Sequence, residues 1–149
     1  MATLISRSPE ETLALGEQWG RAAQRGWVVG LSGDLGAGKT QFVKGFARGL
    51  GSTVRVHSPT FALLNEYGGG RLRLFHLDLY RLNSVDEVMS AGLEEYLINP
   101  DGVAVVEWIE RWLPETQSPK SKVQGFVRLV RIETINESER QFTYEDSGA

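Results

Sequence analysis

The chain contains no cysteine. Disulfides and cysteine-ligated metal sites are therefore excluded, and the composition suits a cytoplasmic protein. No apolar run reaches transmembrane length, and the first residues lack the basic-then-apolar pattern of a secretory leader. No membrane partner is expected. Internal repeats, low-complexity tracts and interdomain linkers are also missing. Charge of one sign is in short supply: the net charge is −3, which argues against bulk binding of nucleic acid or of an anionic membrane as the main activity. A small basic patch remains compatible with that balance. What is present, 41% hydrophobic and 23% charged residues in 149, is the composition of a globular protein. One domain over 1–149 with a real core is expected.

One stretch organises the rest. Gly33-Asp34-Leu35-Gly36-Ala37-Gly38-Lys39-Thr40 reads G-x-x-x-x-G-K-[ST], the phosphate-binding loop of P-loop NTPases. Glycines let the backbone bend through positive φ and approach a phosphate closely. Several N–H groups then point at one anion. Lys39 is placed to reach the β- and γ-phosphates as a point charge, and Thr40 to offer its hydroxyl to Mg²⁺. A helix beginning at Lys39 turns its positive dipole end toward the same phosphates. The motif's context is also right. Trp27–Leu31 reads as a buried strand before it, and Thr40–Leu50 as a helix after it with Phe42, Val43, Phe46, Ala47 and Leu50 on one face.

Around this centre the chain reads as alternating strands and helices. Ser8-Pro9-Glu10-Glu11 opens a first helix running to about Gln24, with Leu13, Leu15, Trp19, Ala22 and Ala23 as its apolar supply. Core packing is its main expected role, a wall near the nucleotide base the functional option. Gly45 and Gly49 inside the P-loop helix each cost about 1 kcal/mol relative to alanine, which a close approach of another element would explain. Thr53–Val56 reads as a short strand, followed by the Ser58-Pro59-Thr60 turn. Phe61–Tyr67 and Arg71–Asp78 read as a hairpin across Gly68–Gly70, with Arg71 and Arg73 sharing a face as either a solvated pair or an anion patch. His76 and Asp78 lie two apart and point to one side of their strand. Asp78 is the first carboxylate to place near a nucleotide; His76 is expected to be a hydrogen-bonded structural histidine rather than a base. Arg81 can pair with Asp78 or meet phosphate. A helix opens at Asn83–Glu87 and breaks at Gly92, and Asn99–Gly102 is a turn. Val103-Ala104-Val105-Val106-Glu107 is four apolar residues closed by an acid, the Walker B pattern of a buried parallel strand ending beside Mg²⁺. Most such sites carry aspartate; Glu107 is longer and reaches the metal directly or through water. Trp108 follows, then a helical turn stopped by Pro114, with Trp112 as core. After a polar loop, Phe126–Ile132 and Arg140–Tyr144 form a terminal hairpin, and Glu145–Ala149 is expected to fray.

Taken in order, G-D-L-G-A-G-K-T, S-P-T-F, H-L-D-L-Y-R-L, G-L-E-E-Y-L and V-E-W resemble the TsaE (YjeE) family, the ATPase of bacterial tRNA threonylcarbamoyladenosine biosynthesis. The resemblance covers roughly residues 8 to 113. It implies an α/β P-loop NTPase fold, three-layered, with a mostly parallel central sheet and antiparallel hairpins at the edges. It implies ATP and Mg²⁺ as cofactors and slow intrinsic hydrolysis. It also implies action on a complex of TsaD and TsaB, which modifies adenosine 37 of tRNA, so that tRNA is met indirectly. By the resemblance, Thr40 and Glu107 serve the metal and Asp78 belongs to the active site. Thr60 sits in the loop that responds to nucleotide, and Trp108 is functionally important.

The expected function is thus an ATPase switch with Lys39, Asp78 and Glu107 as catalytic residues. Gly33 to Thr40, Thr60 and Trp108 are its nucleotide-binding set. No arginine finger is evident in the chain itself apart from Arg81 as a candidate, so a partner residue would complete the site. Two rivals share the motif. A small-molecule or nucleotide kinase would need an arginine-rich lid, which the segment after Glu107 does not supply. A nucleotide-gated binding module would use ATP to order the Ser58–Phe61 loop, with turnover only resetting the assembly.

Overall fold

The computed structural model describes residues 2–33, 38–56, 63–113 and 125–147. The P-loop interior, the Ser58-Pro59-Thr60 turn and the polar loop after Leu113 lie outside the described residues. The elements are β1 (Ala2–Ser6), α1 (Pro9–Ala22), β2 (Val28–Gly33), α2 (Lys39–Gly49), β3 (Leu64–Tyr67), β4 (Leu74–Asp78), α3 (Val85–Ser90), α4 (Glu94–Leu97), β5 (Val103–Glu107), a 3-10 turn at Ile109–Arg111, β6 (Val127–Thr134) and β7 (Arg140–Ser147).

The strands make one seven-stranded sheet in the order β1-β7-β6-β2-β5-β4-β3. β6, β2, β5 and β4 are parallel neighbours; β7 pairs antiparallel with β6 and β1, and β3 antiparallel with β4. A parallel centre with antiparallel edges is the expected architecture. Alternation along each central strand feeds two cores. Val29, Leu31, Val103, Val105, Val130 and Ile132 pack under α1 and α2 with Trp19, Phe42 and Phe46. Val28, Ala104, Val106 and Leu77 pack under α3, α4 and the 3-10 turn with Val88, Leu97, Ile109 and Trp112.

The helix glycines have a geometric cause. A Cβ on Gly45 would stand 1.9 Å from the Leu13 carbonyl oxygen, and one on Gly49 2.2 Å from that of Glu17. The contact is reciprocal, because a Cβ on Gly16 or Gly20 of α1 would meet the backbone of α2 at 2.1 and 2.3 Å. Two helices with glycine at the seam therefore touch backbone to backbone, which fixes α2 and its N-terminus over the sheet.

Several expectations are corrected. Thr53–Val56 is not a strand: the Ser52 hydroxyl accepts from the Val54 N–H at 3.3 Å and donates to the Gly68 carbonyl at 2.8 Å, giving the backbone a local alternative to a ladder. β4 begins at Leu74 rather than Arg71. The Arg71 guanidinium donates to the carbonyls of Gly20, Arg21 and Ala23 and so caps the C-terminus of α1, while Arg73 pairs with Glu66. Neither arginine is part of an anion patch. α1 ends at Ala22, two residues short of the expected Gln24. β1 was not expected at all; the edge of β7 recruits it. The tail does not fray at Glu145, since β7 continues through Ser147 opposite Val127. Arg128 holds it there with a two-pronged pair to Asp146 at 2.7 and 3.0 Å, its guanidinium lying over the Trp19 and Tyr144 rings.

Gly45→Ala is expected to lower stability by about 1–3 kcal/mol, because backbone at the seam cannot swing aside as a side chain can. Gly68→Ala, where an added Cβ meets nothing within 4 Å, should stay within about 0.5 kcal/mol of the parent. Urea unfolding of both variants checks the pair; equal midpoints would overturn the seam.

Candidate functional site

Strand register assembles the site. Leu31 of β2 and Asp78 of β4 both stand level with Glu107 of β5, so three parallel strands end in one row. Leu77 and Val106 belong to the lower core. By alternation, His76, Asp78 and Glu107 face the other way, toward α2. At the start of that helix Gly38 takes φ 93 and offers no side chain to cap it. At the other end of the loop Gly33 takes φ 89, and a Cβ there would stand 2.3 Å from the Ile132 carbonyl oxygen. Both flanking glycines of the motif thus occupy backbone that other residues would strain to adopt.

Glu107 is wholly buried. Its Oε2 lies 2.5 Å from His76 Nε2, and its Oε1 lies 3.0 Å from Lys39 Nζ. The lysine contact is an ion pair off the angle of a hydrogen bond, so Oε1 has no hydrogen-bond partner among the described residues. Burial by itself would raise the Glu107 pKa. The His76 hydrogen bond and charge, with the Lys39 ammonium, outweigh that and hold the carboxyl below its ordinary value. Asp78 behaves oppositely. Burial pushes it up, and the Glu107 charge adds to this against the Tyr80 N–H, Lys39 and His76. Its Oδ1 accepts from the Tyr80 N–H at 3.0 Å, so Asp78 also ties the turn that follows β4.

Trp108, next to Glu107, adopts φ 62 and ψ 45, a left-handed conformation uncommon outside glycine. It lets the chain turn straight into Ile109, whose side chain lies where a Cβ on Gly30 would be, 2.5 Å away. The half-buried indole meets the Tyr80 ring at 5.2 Å and lies under the Arg111 guanidinium at 5.0 Å. The cluster therefore has an aromatic and cationic shoulder at its rim.

Residues 6–142 match the family model described as Threonylcarbamoyl adenosine biosynthesis protein TsaE. The chain belongs to the TsaE family. A Bacillus subtilis relative named tRNA threonylcarbamoyladenosine biosynthesis protein TsaE is 43% identical over 95% of this chain and 83% of its own length. A relative of the same name from Treponema pallidum is 48% identical over 72% of this chain and 78% of its own length. The crystal structure of Bacillus subtilis YdiB superposes with a TM-score of 0.72 at 34% identity, over 96% of this chain and 83% of that one.

Within this TsaE-family fold, Lys39, Asp78 and Glu107 come together, with Gly33 and Gly38 at the loop ends, Thr40 in the first turn of α2 and Trp108 at the rim. Asp34, Leu35, Gly36, Ala37 and Thr60 lie outside the described residues. Arg81 makes no ion pair with Asp78 among the described residues. Sequence reasoning placed His76 on the right side of its strand but missed its partner. It also missed Tyr80 and Arg111 as companions of Trp108. Period-two alternation on β4, combined with a β4–β5 pairing, would have found the first; nothing local signals the second.

The residues present suit a nucleotide and its cation. The uncapped start of α2 and Lys39 suit phosphate. Among the described residues no group of three His, Cys, Asp or Glu forms a metal cage; a buried Glu107 Oε1 without a hydrogen-bond partner suits Mg²⁺, which keeps water and phosphate oxygens as its other ligands. No helix among the described residues is long and apolar enough to cross a membrane.

Because the folded pKa of Glu107 lies below its unfolded value, its contribution to stability is complete above about pH 4.5 and is lost as the pH falls through the folded value. The gap in thermal midpoint between the parent and Glu107→Gln is therefore expected to be widest near neutrality and to narrow in acid. A gap that widens below pH 4.5 would contradict the depressed pKa.

Proposed function

We propose that this TsaE-family chain acts in threonylcarbamoyladenosine modification of tRNA as a slow, Mg²⁺-dependent ATPase switch working on a TsaD–TsaB complex. The observation that carries the reading is the Lys39–Glu107–His76 cluster, with Asp78 level beside it, under the glycine-capped start of α2. Before nucleotide arrives, Lys39 neutralises Glu107. Phosphate oxygens at the start of α2 compete for the same ammonium, and Lys39 swings toward them. Glu107 keeps its orientation through the buried His76 contact while its Oε1 is released. Thr40 and Glu107 would hold Mg²⁺, which supplies neutralisation of charge on the transferring phosphoryl group. Lys39 and the loop N–H groups stabilise the same charge. Asp78, next to Glu107 at the strand ends, orients water.

Hydrolysis by the chain alone is slow in this reading because, among the described residues, no arginine pairs with Asp78 or Glu107, and Arg111 at the rim lies over the Trp108 ring. Arg128 is held by Asp146 and aromatic rings, Arg131 pairs with Glu133, and Arg140 donates to the Asn136 and Glu139 carbonyls. The same commitments leave a kinase reading without its lid. A partner charge can raise phosphoryl-transfer rates by ~10³-fold or more.

Steady-state ATP hydrolysis should be slow for the chain alone, rise on adding TsaD–TsaB, and lose that rise in Lys39→Ala. A rate independent of the partners would remove the switch. If a non-hydrolysable ATP analogue sustains repeated modification cycles, the nucleotide-gated binding module replaces it.

A further inference from the structure

Four of the sixteen basic residues and none of the nineteen acidic ones lie between Leu35 and Asn65. Three of the four, Lys44, Arg48 and Arg55, line a single groove of about 380 Å³ between the outer face of α2 and the segment that follows it. Thr53 adds a hydroxyl to its wall, and no carboxylate lines it. Lys44 and Arg48 stand four residues apart on α2, a like-charge spacing that destabilises a helix, and α2 carries no acid to offset it. Elsewhere most exposed arginines are matched: Arg7, Arg21, Arg25, Arg73 and Arg131 pair with carboxylates and Arg71 donates to carbonyls, while Arg81 stands alone without an ion pair among the described residues. Lys44, Arg48 and Arg55 form no ion pair among the described residues, and all three are exposed. None of them belongs to the Lys39–Glu107 cluster.

We propose that this groove binds the phosphate backbone of RNA directly. Guanidinium forks, an ammonium and a hydroxyl without a competing acid are the donor set that phosphate oxygens take. A protein partner would need an aromatic or large apolar anchor. The groove offers only Val54, 46% exposed. The choice of tRNA as the RNA rests on the function proposed above. Three phosphate contacts are few, so the affinity expected of the chain is weak and salt-sensitive yet measurable at low salt, in keeping with a net negative chain.

The test is fluorescence anisotropy of labelled tRNA with the full chain across a salt series. The variants are Lys44→Gln/Arg48→Gln/Arg55→Gln and a control of equal charge, Arg7→Gln/Arg25→Gln/Arg73→Gln. The groove variant should bind about tenfold or more weakly, with the slope of log affinity on log salt shallower by about 0.7–0.9 for each phosphate no longer neutralised. The control should stay near the parent. Nucleotide affinity of the groove variant should be unchanged, which also reports an intact fold. Equal losses in both variants, or a parent that does not bind tRNA, would overturn the proposal. So would a groove variant that keeps tRNA but loses a partner protein, since the groove would then be an acidic-protein site. A parent that binds tRNA through the groove yet hydrolyses no ATP would support the groove and sink the ATPase reading.

Discussion

The buried charge of Glu107 constrains the rest of the molecule. A carboxylate without solvent at a strand end loses far more in hydration than one neighbour returns, so it needs cationic or donor partners on both oxygens. Those partners come from different elements: His76 from β4 and Lys39 from the first turn of α2. Three pieces of the fold are thereby tied to one side chain. The two ties differ in kind. His76 is as buried as the acid, whereas the Lys39 side chain keeps 23% of its surface exposed. One contact is closed off from solvent and the other is reachable from it. In the function proposed above, the geometry that stabilises the free chain is also what receives the phosphate.

That arrangement depends on α2 being held at the right height. The glycine seam with α1 does this by bringing backbone against backbone, a contact any side chain would prevent. Arg71 reinforces it from the far side by closing the carbonyl end of α1. Arg128 plays a similar part at the sheet edge, where its guanidinium joins β6, β7 and the Trp19 ring. Such arginines are structural and already satisfied. They stand apart from Lys44, Arg48 and Arg55, which share a groove and face no acid. In a chain of net charge −3, local clustering of unmatched cations says more about partners than the total does.

Much of this was legible in residue order because the determinants are local. Ser8 and Ser84 cap the helices they precede, accepting from Glu11 and Glu87 N–H groups. Gly92 and the Asn99–Gly102 turn break the chain where their φ values require it. The apolar run before Glu107, downstream of a phosphate-loop motif, read as a strand buried on both faces. The readings that failed were those in which a distant group competes for a residue. Arg71 looked like half of a surface pair until the C-terminus of α1 claimed it. The last residues of β7 looked polar enough to fray until Asp146 met Arg128. β1 has too little pattern of its own and exists because β7 presents an edge.

The division follows from range. Glycine spacing, capping residues and apolar periodicity act within a few residues, so they made the helix starts, the buried strands and the family resemblance legible from order alone. Strand order and register act between residues tens of positions apart. Only pairing β4 with β5 could place His76 against Glu107, level Asp78 with it and bring Lys39 over both. No local pattern encodes which side chain a buried charge will find, because that energy exists only once the surrounding packing has removed the water.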